Sequence, residues 1–401
     1  MLGRARFGLR AILSLAVAVT LSSTSLGCSS GSDGAQGPTT ADPEAPPARP
    51  TSAPLVLELG DVPAGRETTF ELPEGILGFT LVARGAPWTK LSTLRNANGA
   101  IVEGETLLGC SEATDSVSAS SAFAVQIPSR GPGLDAAHVP SGTWSFVLRD
   151  PAQVRIIAQR TSDGRFHGGL LDLQIYLPEG LVVDREPIGA APASASELPA
   201  GIRRRITHLD AFVQKLYGVS IGTITVHDVP GEFRHIVASP EVSGAERSGA
   251  LMRESAKGAA SQGLHLFFVE TSNIYWGLSG GLPGAPLTTG TDASGVILAV
   301  KASPSPAEDE ATAERDASAI VHEIGHFVGL PHTTIMAGRT DCLDDTPACD
   351  DLTPERRDAC PDRSNLMFFA GGGTLASTVI SPKQQRVFRG SPLYRAYTTE
   401  E

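Results

Sequence analysis

Residues 322 to 332 read His322-Glu323-Ile324-Gly325-His326-Phe327-Val328-Gly329-Leu330-Pro331-His332, and they decide how the chain is read. On an α-helix, residues four apart stand one above the other, so His322 and His326 project together as two imidazole ligands for one ion. Glu323 sits beside the first histidine, placed to reach a metal-bound water rather than the metal. Gly329 can take the positive φ that ends a helix and turns the chain sharply. The turn brings His332 back as a third ligand and leaves the fourth position of a tetrahedral Zn²⁺ open for water. An open fourth position marks a hydrolytic centre, whereas a structural zinc site is closed.

A bare H-E-x-x-H is a weak signal in a chain of 401 residues. Here every specified position of H-E-x-x-H-x-x-G-x-x-H is filled, and the run resembles the signature of metzincin metallopeptidases. Thr333 after the third histidine, the Asp344-Asp345-Thr346-Pro347 run and the Ser364-Asn365-Leu366-Met367 run look most like the pappalysin-type family within that clan. The likeness covers about residues 300–393. It implies a zinc endopeptidase acting on a protein or peptide substrate, with His322, His326 and His332 as metal ligands and Glu323 as catalytic base. It also implies that Met367 is the Met-turn methionine packed beneath the ligands. Several metzincins carry a Tyr two residues after that methionine, where its hydroxyl helps hold the tetrahedral intermediate. Phe369 stands there in this chain and has no hydroxyl, so zinc or another donor would have to serve.

The length suits two domains, and 41% apolar residues suffice for real cores. A formal charge of −12 argues against nucleic acid and against a polybasic membrane patch. The first 27 residues form a targeting segment. Arg4, Arg6 and Arg10 precede an apolar run from Ala11 to Leu21 that is too short to span a bilayer. Ser25-Leu26-Gly27-Cys28 resembles a bacterial lipobox, cleaved before Cys28 with lipid added to its thiol, although Ser25 stands where Leu is usual. The alternative is an ordinary secretory signal with Cys28 incidental. Either reading predicts an exported protein, as an outer-membrane lipoprotein or secreted. Residues 28–54 are rich in Ser, Gly, Pro, Thr and Ala and read as a disordered linker.

Residues 55–168 read as an antiparallel β-sandwich, with strands expected at Leu55 to Leu59, Thr68 to Leu72, Ile76 to Val82, Phe123 to Ile127, Trp144 to Arg149 and Val154 to Arg160. The Ser141-Gly142-Thr143-Trp144 approach is similar to jelly-roll-like domains that accompany secreted bacterial peptidases. His138 and His167 read as surface histidines. Residues 169–401 read as the metzincin-like domain, a mixed and mostly parallel α/β sheet with an active-site helix. A half-buried strand is expected from Leu171 to Leu177, then a helix with Ile202, Ile206, Leu209, Val213 and Leu216 on one stripe and Gly218 past its end. Ile221 to Val229 and Leu264 to Glu270 read as strands and Glu241 to Lys257 as a weaker helix. His208, His227, His235 and His265 lack ligand spacing and read as packing residues. Gly277 to Gly295 is rich in Gly and Pro, and Val296 to Val300 reads as a strand: the antiparallel edge at the cleft rim by the metzincin resemblance, or an ordinary strand after a surface loop by its residues alone. Ser305, Pro306 and Glu308 predict the start of the active helix, with a shorter helix capped at Asp316 as the alternative. Ser381-Pro382-Lys383-Gln384 predicts another helix start.

Eight carboxylates between Asp341 and Asp362 suit either a Ca²⁺ site or a solvated acidic loop. Five cysteines less a lipidated Cys28 leave an even set with three possible pairings. Cys349–Cys360 is expected across the loop, leaving Cys110 with Cys342 as a link between the domains. The alternative makes Cys110 a thiolate that caps the zinc. The competing function is a non-catalytic surface lipoprotein that binds a partner through its sandwich and keeps a vestigial metal site. An intact Glu323 counts against it.

Overall fold

Alternating apolar residues from Leu55 onward build eight antiparallel strands: β1 (Leu55–Val62), β2 (Thr68–Leu72), β3 (Ile76–Arg84), β4 (Leu91–Arg95), β5 (Ile101–Gly104), β6 (Ala122–Ile127), β7 (Gly142–Leu148) and β8 (Ala152–Arg160). They form two four-stranded sheets, ordered β1-β8-β3-β6 and β2-β7-β4-β5. This is jelly-roll topology. The computed structural model describes residues 49–398 except 86–88, 100, 105–120, 130–134, 137, 191, 193, 239–241, 258–262, 273–274, 336–337, 340, 342, 348, 350–356 and 372. The leader, Cys28 and most of the linker therefore lie outside the described residues, as do Cys110 and Cys342. Strands β4 and β5, short and partly polar, were not expected from the sequence.

Phe70, Phe79, Trp144 and Phe146 fill the space between the two sheets, with ring centroids 5.0–6.4 Å apart. Trp144 is buried, and its Nε1–H is satisfied by the Pro140 carbonyl at 3.0 Å.

The second part is organised by β9 (Gly169–Pro178). It runs parallel to β10 (Ser220–Val229) on one side and to β11 (Leu264–Val269) on the other. Beyond β11 come β12 (Gly277–Ser279) at the sheet edge and β13 (Val296–Ala299) between it and β11. Strand β13 is parallel to β11 and antiparallel to β12. The edge strand is therefore Gly277–Ser279, inside the stretch read as loop, while Val296–Ala299 is an interior strand. The resemblance misplaced the edge, and the ordinary-strand alternative holds for Val296–Ala299, since an apolar run of four residues looks the same in either position. Strand β14 (Arg395–Tyr397) pairs antiparallel with the start of β9.

Strand β9 is buried along nearly its whole length, not on one face only. Leu171, Leu173, Ile175 and Leu177 face the main core. Its polar residues are buried with partners: Asp172 takes two bonds from Arg395, and Gln174 Oε1 lies 2.7 Å from His227 Nε2. His167 likewise departs from the surface reading, since its side chain is buried and paired with Asp163 at 2.9 Å. His138 is exposed as expected.

Four helices complete the fold: α1 (Ala200–Tyr217), α2 (Gly244–Arg253), α3 (Asp309–Phe327) and α4 (Pro382–Gly390). Gly218 closes α1 in the left-handed conformation, and Ser381 caps α4 in a reciprocal box with Gln384. Helix α2 begins later than expected, behind a Ser243–Glu246 capping box. Helix α3 starts at Asp309 after a 3₁₀ turn, with no side-chain cap bond from Ser305 or Glu308. Asp316 is no cap either. It lies inside the helix, buried and bonded to Arg205.

The two sheets do not stand apart as a separate body, because residues 49–401 form one compact unit. Val82, Ala122, Ala124 and Ile157 of the first part share an apolar cluster with Ala285 and Ala293 of the loop between β12 and β13. Arg155 reaches the Leu287 carbonyl and the Thr288 hydroxyl of that loop, and Asp292 accepts from Ser121 N–H and Oγ–H.

Candidate metal centre

Helix α3 carries His322 and His326 on one face, well inside regular helix. It ends in a Schellman turn. Leu330 N–H donates to the Gly325 carbonyl at 2.8 Å, Gly329 N–H donates to the His326 carbonyl at 2.9 Å, and Gly329 takes φ +101. That turn carries the chain back, so His332 faces the helical pair. Its Nε2 lies 3.0 Å from Nε2 of His322 and 3.1 Å from Nε2 of His326.

The opposite ring nitrogens decide what these three atoms are. His322 Nδ1 lies 2.6 Å from the Leu366 carbonyl, and His326 Nδ1 lies 2.7 Å from the Leu330 carbonyl. A carbonyl only accepts, so each Nδ1 carries the proton, and in a neutral ring Nε2 is then a bare lone pair. Neutrality is enforced by burial. Desolvation, with neighbouring ring charge added, holds His326 well below the ordinary histidine value and His332 at about 3, and desolvation also lowers His322. Two committed lone pairs face His332, which can donate to only one of them. A cation resolves this arrangement, and the donor set fits one. An ion with metal–nitrogen bonds of about 2.0–2.1 Å holds tetrahedral ligands roughly 3.3–3.4 Å apart, within a few tenths of an ångström of the observed spacings. The carbonyl anchors are the outer partners that fix tautomer and orientation at such sites.

Met367 is fully buried, packed against Gly325. A Cβ on Gly325, between the two helical histidines, would come 2.3 Å from Met367 Sδ, so only glycine fits there. The turn that bears Met367 is held by Asn365, whose Oδ1 accepts Met367 N–H at 2.8 Å and whose Nδ2 donates to Gln384 Oε1 of α4 at 2.9 Å. The same turn supplies the Leu366 carbonyl to His322. Sequence reasoning singled out His322, His326, His332 and Met367 but not the two anchoring carbonyls, because backbone acceptors leave no residue-type signal.

Glu323 opens into the same cavity, a cleft of about 540 Å³ that all three histidines and Phe369 also line. Desolvation pushes its carboxyl up to about 8, and a backbone N–H from Ser279 works in the other direction. Strand β12 lies hard against it, since a Cβ on Gly277 would come 2.5 Å from Glu323 Cγ. In the acidic loop, Cys349 and Cys360 are disulfide-bonded. Three described carboxylates of the acidic loop accept from the protein's own donors. Asp341 accepts the Thr346 hydroxyl, Asp345 accepts Ser381 and Lys383, and Asp362 accepts Thr334. Among the described residues, nothing there assembles an oxygen cage for Ca²⁺.

No protein-family model matches the chain, and no curated relative does. Among solved structures it is similar to archaemetzincin from Methanopyrus kandleri, at 16% identity over 56% of this chain and 89% of that one, with a TM-score of 0.27. It is also similar to mature mirolysin from Tannerella forsythia, solved with a cleaved peptide, at 15% identity over 55% of this chain and 90% of that one, TM-score 0.31. The resemblance to metzincin-family zinc peptidases is thus distant. A histidine centre able to hold a metal ion, in a mixed α/β fold, is what the geometry itself defines.

Proposed function

We propose that the protein is an exported zinc-dependent endopeptidase, pappalysin-like in its motif details, that hydrolyses peptide bonds with Glu323 as general base. The observation carrying this reading is the convergence of three imidazole Nε2 atoms in one open cleft that the Glu323 carboxylate also lines. Zinc, which His322, His326 and His332 would hold, would supply a Lewis acid for the scissile carbonyl and would acidify water towards a pKa of about 7. Glu323 accepts the proton of the attacking water and delivers it to the leaving amine. A positive charge at the histidines favours its ionised form, against the burial that raises it. Strand β12 ends the sheet, so its free edge suits an extended peptide added as a further strand. Phe369 lines the cleft without a hydroxyl, so it can supply no hydrogen bond to a developing oxyanion.

Metal analysis and peptide cleavage test the reading together. His326→Ala should lose stoichiometric zinc, and retention would sink the ligand assignment. Glu323→Ala should keep zinc and lose cleavage; undiminished activity would remove Glu323 from its role. The anchor belongs to the same proposal. Cys28 is lipidated, and outer-membrane sorting follows from Ser29 after it. Mass spectrometry of an unmodified mature N-terminus would refute this, as would membrane partitioning unchanged in Cys28→Ser. Cys110 pairs with Cys342, which non-reducing peptide mapping decides.

A further inference from the structure

The walls of the cleft bear on which substrates it accepts. Beside the three histidines and Glu323, its described lining is apolar or uncharged, with Trp276, Leu278, Leu282, Pro331, Phe369 and Ala370 prominent. A charged side chain entering a mostly apolar space gives up water, whereas an apolar one gains contact area.

Trp276 is the largest of these residues, and its position is fixed. Asp316, Ala319 and Glu323 follow one another along one face of α3. The Trp276 indole N–H donates to Asp316 Oδ1 at 3.0 Å, and Asp316 Oδ2 accepts Arg205 Nε at 2.8 Å. Both Asp316 and Arg205 are fully buried. Lys301 Nζ stands 4.3 Å from the indole centroid, a cation–π contact on the ring face. The next residue, Gly277, lies against Glu323. Residues 276 and 277 thus run along α3 from Asp316 to Glu323, and the half-buried Trp276 lines the same cleft as Glu323.

We propose that Trp276 is the specificity-determining residue of this cleft, receiving an aromatic or branched aliphatic side chain of the substrate residue next to the scissile bond. Asp316 and Arg205 are its positioning residues. This rests on the peptidase reading above. A ring already held by a buried acceptor loses little freedom on binding, so its contact area is converted to affinity efficiently.

The test gives zinc-loaded full-length protein a set of peptides differing only at the residues flanking the scissile bond. Leu and Phe peptides should show kcat/KM ~10–100-fold above their Asp and Lys counterparts. Trp276→Ala should erase most of that ratio through KM, with zinc content unchanged. Trp276→Phe keeps a ring but drops the N–H, and should lose ~2–10-fold of the ratio, the worth of one net hydrogen bond. If Trp276→Ala fails to fold, this second variant carries the test. A preference for charged residues at both flanking positions would overturn the assignment, and so would an unchanged ratio in the folded variants. If the zinc-loaded protein cleaves none of the peptides, the peptidase reading falls separately. Binding then decides, by the fluorescence lost in Trp276→Phe. Quenching by Leu and Phe peptides but not by Asp peptides supports the role of Trp276, and equal or absent quenching ends it.

Discussion

His326 donates from Nδ1 to the backbone carbonyl of Leu330, 2.7 Å away, and Gly329 makes this bond possible. With φ +101, Gly329 turns the chain so that the carbonyl of the next residue points back at the helix. An added Cβ would meet only ordinary contacts, Gln126 Cβ and Pro283 Cβ at 3.6 Å, so the cost of a side chain is conformational rather than steric. Gly329→Ala should therefore fold, with a loss of about 1–2 kcal/mol from the left-handed backbone. Because the same turn orients a ligand, zinc affinity should fall roughly 10-fold. Competition with a chromogenic chelator reads this directly, and unchanged affinity would detach the turn from the metal centre.

Arg205 and Asp316 form an ion pair sealed inside the second part, and Asp184 accepts two further bonds from the same guanidinium. Burial raises the Asp316 carboxyl while Arg205 draws it down. Breaking such a pair strands a charge in a low-dielectric interior, at about 3–5 kcal/mol. Arg205→Met should show that loss in urea denaturation, and Arg205→Met with Asp316→Leu should recover part of it. If the double variant proves no better than the single one, desolvation of the stranded carboxylate is not the cause.

These two sites differ in how much the sequence disclosed. The histidine spacing and Gly329 are local, so helix periodicity and one turn suffice to place them. The α1 stripe from Ile202 to Leu216 was legible for the same reason. Asp316 reads as a cap only in the alternative, shorter helix; its partner Arg205 is 111 residues away, and nothing near it in sequence signals burial. Gly277–Ser279 escaped because a three-residue edge strand is held by backbone bonds, for which Gly-rich sequence gives no pattern. Val296 to Ala299 showed its burial but not its direction or its place in the sheet.

His265 offers a pH test away from the metal. It is 2% exposed; the Tyr176 hydroxyl lies 2.8 Å from its Nδ1, while Nε2 has no partner among the described residues. Burial, with His227 nearby, lowers its pKa from 6.5 to about 4. In the unfolded chain the ring titrates near 6.5, so between 6.5 and about 4 the unfolded state holds a proton that the folded state lacks. Stability should fall as pH drops through that window and level off below it, by an amount on the order of 3 kcal/mol. Denaturation midpoints of the metal-free protein should show His265→Phe losing correspondingly less between pH ~7 and ~4.5. Parallel losses in the two proteins would rule His265 out as the titrating group.

Gly78 joins the jelly roll to the helix behind the metal centre. A Cβ there would lie 2.4 Å from the Gly390 carbonyl oxygen, 2.5 Å from Gly390 Cα and 2.6 Å from the Ile127 carbonyl oxygen. All three are backbone atoms, so no rotamer change relieves the overlap, and β3 must separate from the end of α4. Helix α4 carries Gln384, which holds Asn365, and the Asn365 turn presents the Leu366 carbonyl to His322. A methyl group in the first part should thus be felt at a ligand in the second. Gly78→Ala is expected to lose about 1–3 kcal/mol, the usual cost of overpacking, with a single unfolding transition because residues 49–401 form one unit. Gly189→Ala is the control, since its Cβ meets nothing within 4 Å and should change stability by less than about 0.5 kcal/mol. Calorimetry of both variants with and without zinc separates the effects. If Gly78→Ala matches the control, or splits the transition so that only the sandwich melts early, the jelly roll does not support the metal centre.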